Sequence, residues 1–227
     1  MNSLDIKIIN QLKDNYSFII YSKKNDAAII VDPAEADSHI DFLKKNNLEL
    51  HSVFITHHHK DHTAGLEGLL KSFTKTLVYS PDKSIYGTTH LLKSNDLIDT
   101  PFNKFEILTT PGHTLDHIIL YDKENLLLFC GDVLFRLGCG RIFEGTFKQM
   151  YESLKKINIL PNEVSVYCGH EYTISNLCFL ESIFDNLKIL KEERKKIETQ
   201  INETSKSIPF NLGREKVINP FLNQNSD

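Results

Sequence analysis

The sequence has no tryptophan, few cysteines and no long apolar run. Its cysteines are Cys130, Cys139, Cys168 and Cys178, and no two of them form a C-x-x-C pair. The sequence therefore predicts neither a disulfide framework nor a zinc site built from thiolates, and we expect the cysteines to be reduced and packed. No stretch approaches the roughly eighteen apolar residues that a membrane span requires.

An excess of positive charge is also missing. The formal net charge is −4 at pH 7, which provides no basic surface for nucleic acid or for an anionic membrane. The opening residues MNSLDIKIINQLKDN contain no basic segment followed by an apolar run, as a secretory leader would. These absences predict a cytoplasmic protein that acts on a small molecule, without a nucleic-acid or membrane partner and with a monomer as the default assembly.

Short apolar runs, rich in β-branched and aromatic residues, recur through most of the chain. They predict strands over 5–9, 17–21, 27–31, 52–56, 76–80, 105–110, 117–121, 126–130 and 164–168. Helical spacing of apolar residues predicts helices over 35–47 and 63–73. Because many of the strands are almost wholly apolar, we expect helices to cover a sheet.

The pattern changes from Thr173 onward. Residues 174–204 have no strand signal and show helical spacing with mixed charge. The run KILKEERKKI at 188–197 is basic, but Glu192 and Glu193 interrupt it, which is typical of a solvated helix face. The sequence thus predicts a helical C-terminal part.

The densest chemical signal is THHHKDH at 56–62. In an extended chain alternate side chains share a face, so we expect His57, His59 and Asp61 to project to one side and His58 to the other. His62 stands where the chain turns into the next predicted helix. Imidazole and carboxylate together are ligands for zinc, iron or manganese. A chance match to H-x-H-x-D-H has odds on the order of one in a thousand in a chain of this length, which disfavours an ordinary polar loop.

Three further strand ends place a ligand-type residue after a glycine. The segments PGHT, CGD and CGH supply His113, Asp132 and His170. Glycine allows the backbone to approach closely at such positions. A set of buried, hydrogen-bonded polar residues is the alternative, but the recurrence at separate strand ends is hard to attribute to packing.

THHHKDH, PGHT, GD and GH, in this order, resemble the metallo-β-lactamase superfamily. The segments KDNYSFII (13–20), GCGRIFEGT (138–146), GHEYTISN (169–176) and NPFL (219–222) are more specifically similar to the glyoxalase II family of hydroxyacylglutathione hydrolases. The resemblance implies an α/β (α+β) fold, the αββα sandwich with a metal site at one sheet edge. It divides the chain into a catalytic domain at 1–172 and a helical, substrate-binding C-terminal part at 173–227.

The same resemblance implies two zinc ions per chain, with iron or manganese as alternatives. The implied ligands are His57, His59 and His113 for one ion and Asp61, His62 and His170 for the other, with Asp132 bridging them. Seven ligands are too many for one tetrahedral ion but suit two ions that share a carboxylate and a hydroxide. That hydroxide is the expected nucleophile, and Asp61 and Asp132 are the expected catalytic carboxylates.

For the substrate, the resemblance implies S-D-lactoylglutathione, whose thioester is cleaved to D-lactate and glutathione in methylglyoxal detoxification. Arg141, Phe143 and Tyr172 occupy the substrate-binding positions, with Arg141 and Tyr172 holding the glutathione part. Phe143 stands where some members carry tyrosine, and Asn223 stands where many bacterial relatives carry arginine. These departures predict weaker glutathione binding, unless Lys206, Arg214 or Lys216 compensates.

Other functions and other histidine roles stay open at this stage. A persulfide dioxygenase with one iron, another hydrolase of the same fold, and a non-catalytic module held together by metal are the alternatives. His117 suits either a strand histidine or a hydrogen bond near the site. We expect His39, His51 and His90 at the surface.

Overall fold

Two mixed sheets form the centre of the structure, a computed structural model that describes residues 4–184 and 188–223. The first sheet contains β1 (Asp5–Gln11), β2 (Asn15–Ser22), β3 (Ala27–Val31), β4 (Glu49–Phe54), β5 (Leu77–Ser80) and β6 (His90–Leu91), in that order. The second contains β7 (Leu97–Asp99), β8 (Lys104–Thr109), β9 (Ile118–Asp122), β10 (Leu127–Gly131), β13 (Ser165–Cys168) and β14 (Phe210–Asn211). A separate hairpin consists of β11 (Leu134–Phe135) and β12 (Gly138–Cys139).

Seven helices accompany these sheets in the described residues. They are α1 (Asp37–Lys45), α2 (Lys60–Thr63), α3 (Leu66–Ser72), α4 (Phe147–Asn158), α5 (Thr173–Ile183), α6 (Lys188–Thr204) and α7 (Leu212–Ile218). Helices α1 and α3 lie on the first sheet, while α4 lies on the second. The expected αββα sandwich with a helical C-terminal part is confirmed.

Two buried faces explain why the inner strands β2 and β3 of the first sheet are mainly apolar. In β2, Phe18 and Ile20 enter the core between the sheets, whereas Ile19 between them packs under α1 and α3. The inter-sheet core includes ring contacts such as Phe18 with Phe129, whose centroids are 5.3 Å apart. Because successive strand residues point to opposite faces, burial of both faces removes the polar alternation of a solvated strand.

Helix α4 is the largest element that the sequence reasoning missed. Its N-terminus carries a capping box, in which Thr146 accepts from the Gln149 amide and Gln149 accepts from the Thr146 amide. Its buried stripe is Met150, Leu154 and Ile157, spaced by four and three residues. Both signals are visible in TFKQMYESLKKIN, so this helix was predictable from capping and periodicity.

The C-terminal part is not purely helical, because Phe210 and Asn211 form β14 beside β13 in the second sheet. Packing also ties it to the rest of the chain, since Leu137 joins the apolar cluster of α5, α6 and α7. A buried ion pair adds a polar link, in which Arg136 lies 3.0 Å from Glu193 of α6. The sandwich and the helices therefore share a packed boundary.

Two smaller expectations, on the cysteines and on His39, need correction. All four cysteines are free, but Cys178 is exposed and not packed. His39 is fully buried and not a surface group, with Ser17 Oγ and the Glu35 carbonyl oxygen 2.8 and 2.9 Å from its ring nitrogens. Within the described residues, no helix combines the length and apolar character that a membrane crossing requires.

His39 should make stability fall in acid. Burial lowers its pKa to about 4. Between the unfolded pKa of about 6.5 and this value, the unfolded chain binds a proton that the folded chain does not, so the free energy of unfolding decreases as pH falls through this window. For the metal-free protein, we expect the wild type to lose about 2–3 kcal/mol more than His39→Gln between pH ~7 and ~4, by urea titration. Equal losses in both proteins would show that His39 is not the titrating group.

Candidate metal centre

The seven predicted ligands meet at one edge of the sandwich. His57 and His59 follow β4, Asp132 follows β10, and His170 follows β13, while His113 lies in the loop between β8 and β9. Strand β4 runs parallel to β3, and β13 runs parallel to β10. Because parallel strands end at the same edge of a sheet, the loops after them converge, as they do in other open sheets that carry sites at strand ends.

The local conformation of the HHHKDH segment differs from the expected extended chain. His57 is buried and His59 half-buried, but the next turn is already helical, since α2 begins at Lys60. Asp61 and His62 therefore project from a one-turn helix, and the expectation that Asp61 follows strand alternation is wrong. His62, expected where the chain turns into the next helix, lies inside α2, and α3 begins only at Leu66.

The first group contains three imidazoles. His59 Nδ1 lies 3.1 Å from His57 Nε2 and 3.1 Å from His113 Nε2. Three nitrogen atoms at this spacing can face a single cation, which is the arrangement of a three-histidine divalent-metal site.

The second group mixes imidazole with carboxylate. His170 Nε2 lies 3.4 Å from Asp61 Oδ2, and His62 Nε2 lies 3.8 Å from the same oxygen. Asp132 touches both groups, because its Oδ2 is 3.4 Å from His113 Nε2 and 3.2 Å from His170 Nε2. Its other oxygen, Oδ1, is 3.5 Å from His62 Nε2.

Most of these histidines are oriented by a partner on the other ring nitrogen. The Nδ1–H group of His57 donates to Thr56 Oγ1, and that of His62 donates to Asp32. The Nδ1–H group of His113 donates to the Arg141 carbonyl, and that of His170 donates to Asp14. All four distances are 2.8–3.0 Å. Such bonds fix the orientation of each ring, so that Nε2 faces the centre.

Sequence reasoning missed the two carboxylates that orient ligands. Asp32 follows β3 and also accepts from the Thr56 amide and hydroxyl, at 2.8 and 2.6 Å. Asp14 lies in the quoted segment KDNYSFII, where no role was assigned to it. A charged residue directly after an apolar strand, as in AAIIVD, was the signal available for Asp32.

Two buried atoms show that the donor set fits a cation. Within the described residues, His62 Nε2 and Asp132 Oδ1 have no hydrogen-bond partner although both are buried. An unpaired buried acceptor is costly, and a divalent cation would satisfy both lone pairs. The glycine before Asp132 supports the same arrangement, because Gly131 has φ +48° and a Cβ there would lie 2.6 Å from Thr56 Oγ1.

The direction of the histidine pKa shifts differs between the two ligand groups. Burial lowers the pKa of His57 well below its ordinary value and also lowers the pKa of His59, so both are neutral and suited to coordination. Burial opposes ionisation of Asp132, but His62 and His170 hold its pKa well below the usual range. Hydrogen bonds to Asp132 and Asp61 outweigh burial at His170 and raise its pKa to about 10. A cation entering here would displace that proton.

A pocket of about 720 Å³ opens over the ligands. Besides ligand residues, its walls contain Phe135, Cys139, Arg141, Phe143, Tyr172, Ser175 and Asn176. The Tyr172 ring stacks on the His170 ring at 4.9 Å between centroids, and the Phe143 ring lies 5.1 Å from that of His113. All three residues predicted to bind substrate therefore line the space beside the ligands.

The remaining histidines of the region have distinct partners. His117 Nε2 accepts from the Asp132 amide at 3.1 Å, so it makes a hydrogen bond at the site, and burial lowers its pKa to about 3. His58 faces away from the ligands, as expected, and contacts Asp116 and Glu144.

Comparison with known proteins agrees with this fold. The family model of the metallo-beta-lactamase superfamily matches residues 12–170, and that of the hydroxyacylglutathione hydrolase C-terminus matches residues 171–227. The crystal structure of the B3 metallo-beta-lactamase BLEG-1 superposes with a TM-score of 0.71 over 96% of this chain and 99% of that one. At 22% identity, this likeness shows the fold alone.

Curated relatives carry a more specific name. The hydroxyacylglutathione hydrolase of Aliivibrio salmonicida (strain LFI1238) is 41% identical over 218 residues, covering 96% of this chain and 85% of the relative. That of Vibrio cholerae serotype O1 (strain ATCC 39541 / Classical Ogawa 395 / O395) is 42% identical over 223 residues, covering 96% and 86%. The chain therefore belongs to the metallo-beta-lactamase superfamily and, within it, to the hydroxyacylglutathione hydrolases.

Proposed function

We propose that this protein hydrolyses the thioester of S-D-lactoylglutathione, or of a similar 2-hydroxyacyl glutathione, to the free acid and glutathione. This reaction is the second step of methylglyoxal detoxification. Membership of the hydroxyacylglutathione hydrolases supports the proposal. The observation that carries it is the position of Asp132, whose Oδ2 lies within 3.4 Å of imidazoles from both ligand groups beneath an open pocket.

The proposed metal content is two divalent cations, zinc by preference and iron or manganese as alternatives. His57, His59 and His113 would hold one cation, and Asp61, His62 and His170 the other, with Asp132 shared. Bound there, the cations would supply Lewis acidity toward the thioester carbonyl and acidify a water molecule to give the nucleophile. This use of a shared carboxylate distinguishes the site from a closed structural one, which has four protein ligands.

The chain's own carboxylates and hydrogen bonds organise the reaction. Asn15 Nδ2 donates to Asp61 Oδ2 at 3.0 Å and to the Asp61 carbonyl at 3.1 Å, which fixes the rotamer of this half-exposed carboxylate beside the pocket. Asp61 is thereby placed to accept a hydrogen bond from the attacking water. Because a thiolate is a good leaving group, no general acid is required for its departure.

Arg141, Phe143 and Tyr172 are the proposed substrate contacts. The Arg141 guanidinium suits a carboxylate of the glutathione part, Tyr172 offers a phenol, and Phe143 offers an apolar ring. Three basic residues could compensate for the departures at Phe143 and Asn223, but each makes contacts elsewhere. Arg214 pairs with Glu193, Lys216 donates to the Leu160 carbonyl, and Lys206 donates to the Thr204 carbonyl.

The proposed organisation follows the family boundaries closely. We assign 1–172 to catalysis and 173–227 to a helical part that completes the substrate site, since Ser175 and Asn176 of α5 line the pocket. A monomer in the cytoplasm is the proposed form. Nucleic acid and membranes have no place in this proposal, because the substrate is a small thioester.

Removing the shared carboxylate charge should abolish activity. We expect Asp132→Asn to lose at least about a hundredfold in kcat/KM for S-D-lactoylglutathione and to bind less metal, because one neutral amide replaces the acceptor common to both groups. Thioester absorbance and metal analysis measure these effects. Asp99→Asn, an exposed carboxylate of β7, is the matched control and should keep wild-type values.

Wild-type turnover in Asp132→Asn would disprove the assigned site. Oxygen consumption with glutathione persulfide, without cleavage of the thioester by the wild type, would instead establish the dioxygenase alternative.

Removing the positive charge of Arg141 should weaken substrate binding more than it slows turnover. For Arg141→Gln we expect KM to rise about tenfold, the loss of one charge-assisted hydrogen bond, while kcat changes little. The Arg141 effect should shrink at high salt, because screening weakens the ion pair. Lys104→Gln, which removes an exposed cation paired with Asp99, serves as the control. An unchanged KM in Arg141→Gln would place the glutathione carboxylates elsewhere.

A further inference from the structure

Three loops meet at the rim of the pocket. The ligand loop (57–62) supplies four of the proposed ligands, and the His113 loop (112–117) supplies one. The rim loop (140–146) supplies none, but it carries Arg141 and Phe143, which line the pocket. The position of this third loop therefore sets the position of two proposed substrate contacts.

The rim loop is joined to the His113 loop mainly by backbone hydrogen bonds. The amides of Phe143 and Glu144 donate to the His113 carbonyl at 3.1 and 3.3 Å, and the Gly145 amide donates to the Gly112 carbonyl at 3.1 Å. In return, the Leu115 amide donates to Glu144 Oε2 at 2.9 Å. The two loops thus form one unit.

His58 joins this unit to the ligand loop. Its Nδ1 lies 3.0 Å from Asp116 Oδ1 of the His113 loop, and its Nε2 lies 3.2 Å from Glu144 Oε1 of the rim loop. Both ring nitrogens face carboxylate oxygens: Nδ1 makes a hydrogen bond with Asp116, and Nε2 lies within ion-pairing distance of Glu144. Its side chain is 38% exposed, and those of Asp116 and Glu144 are 14% and 35% exposed.

We propose that His58 is a positioning residue that, through Glu144 and Asp116, fixes the rim loop and so presents Arg141 and Phe143 to the glutathione part of the substrate. This inference rests on the proposed function. His58 itself lies outside the pocket lining, and its ring nitrogens contact Asp116 and Glu144, although its ring also lies 5.1 Å from that of His59. The proposed effect is therefore on substrate binding, and metal content shows whether the centre is affected.

A peripheral cation is the main competing explanation for this cluster, since the three side chains bring ligand atoms within 4.8 Å of one another. A cation binds one lone pair of a neutral ring, however, whereas both nitrogens of His58 already face carboxylates. The contacts also join three separate loops, which a lone surface pair does not. The contacts of the ring with the two carboxylates thus account for the geometry without a further ligand.

The experiment compares His58→Leu, Glu144→Ala and the double variant, each in the metal-loaded enzyme. Partly exposed ion pairs have modest strength, so each single variant should raise KM for S-D-lactoylglutathione by about threefold to tenfold while kcat stays within about twofold. The double variant should raise KM by less than the product of the two single effects, because both substitutions break the His58–Glu144 contact, while each also removes one contact of its own, with Asp116 or with the Leu115 amide. Glu152→Ala, which removes an exposed carboxylate that pairs with Lys155 on α4, is the matched control.

Amide hydrogen exchange supplies a readout that needs no activity. Exchange at Phe143, Glu144 and Gly145 should accelerate in both single variants, while the melting temperature and the metal content stay at wild-type values. If the wild type cleaves no thioester, the proposed function fails, whereas faster exchange in the variants would still establish the loop contact.

Several results would overturn the inference. They are an unchanged KM in both single variants, additive effects in the double variant, or unchanged exchange in the rim loop. A fall in kcat together with lost metal would show that His58 acts on the metal ligands instead. The loss of one further metal equivalent from Glu144→Ala, relative to the wild type, would establish a cation site at this cluster.

Discussion

The buried carboxylate of Asp132 is the constraint on which the arrangement of the site depends. It lies where the two sheets open at one edge, within 3.5 Å of imidazoles from three different segments, and one of its oxygens has no hydrogen-bond partner within the described residues. A buried charge of this kind is stable only with compensating positive charge. Imidazolium supplies it in the metal-free chain, and divalent cations would supply it in the active enzyme. The hydrogen bonds that His117, Asp32 and Asp14 accept keep Asp132 and its imidazole partners in place.

The sequence was informative where a residue type and its spacing directly express a physical requirement. Apolar runs such as AAIIV at 27–31 gave the bounds of β3 because both faces of that strand are buried. The candidate ligands could be selected because imidazole and carboxylate recur after strands, and these positions meet at one sheet edge. Helix α4 was also predictable from the sequence, since TFKQ carries a capping box.

Other features could not be read from the chain because they depend on long-range contacts. Asp14 reaches His170 across 156 positions, and Glu193 reaches Arg136 across 57. His39 is polar and lies on a surface-type helix, yet neighbours from β2 bury it. The prediction that Asp61 follows strand alternation was wrong because the residues HHHKDH contain no signal for the point at which the extended chain becomes a helical turn. These are properties of topology, and a local pattern does not encode them.

The strand β14 gives the end of the chain a role that its length does not suggest. Phe210 and Asn211 pair with β13, and thereby occupy hydrogen-bonding groups at one border of the second sheet. A chain shortened before this strand would leave those groups of β13 open to pairing with another molecule. Proteolytic removal of the residues from β14 onward would thus promote self-association as well as disturb the pocket. These residues therefore help to keep the protein from aggregating.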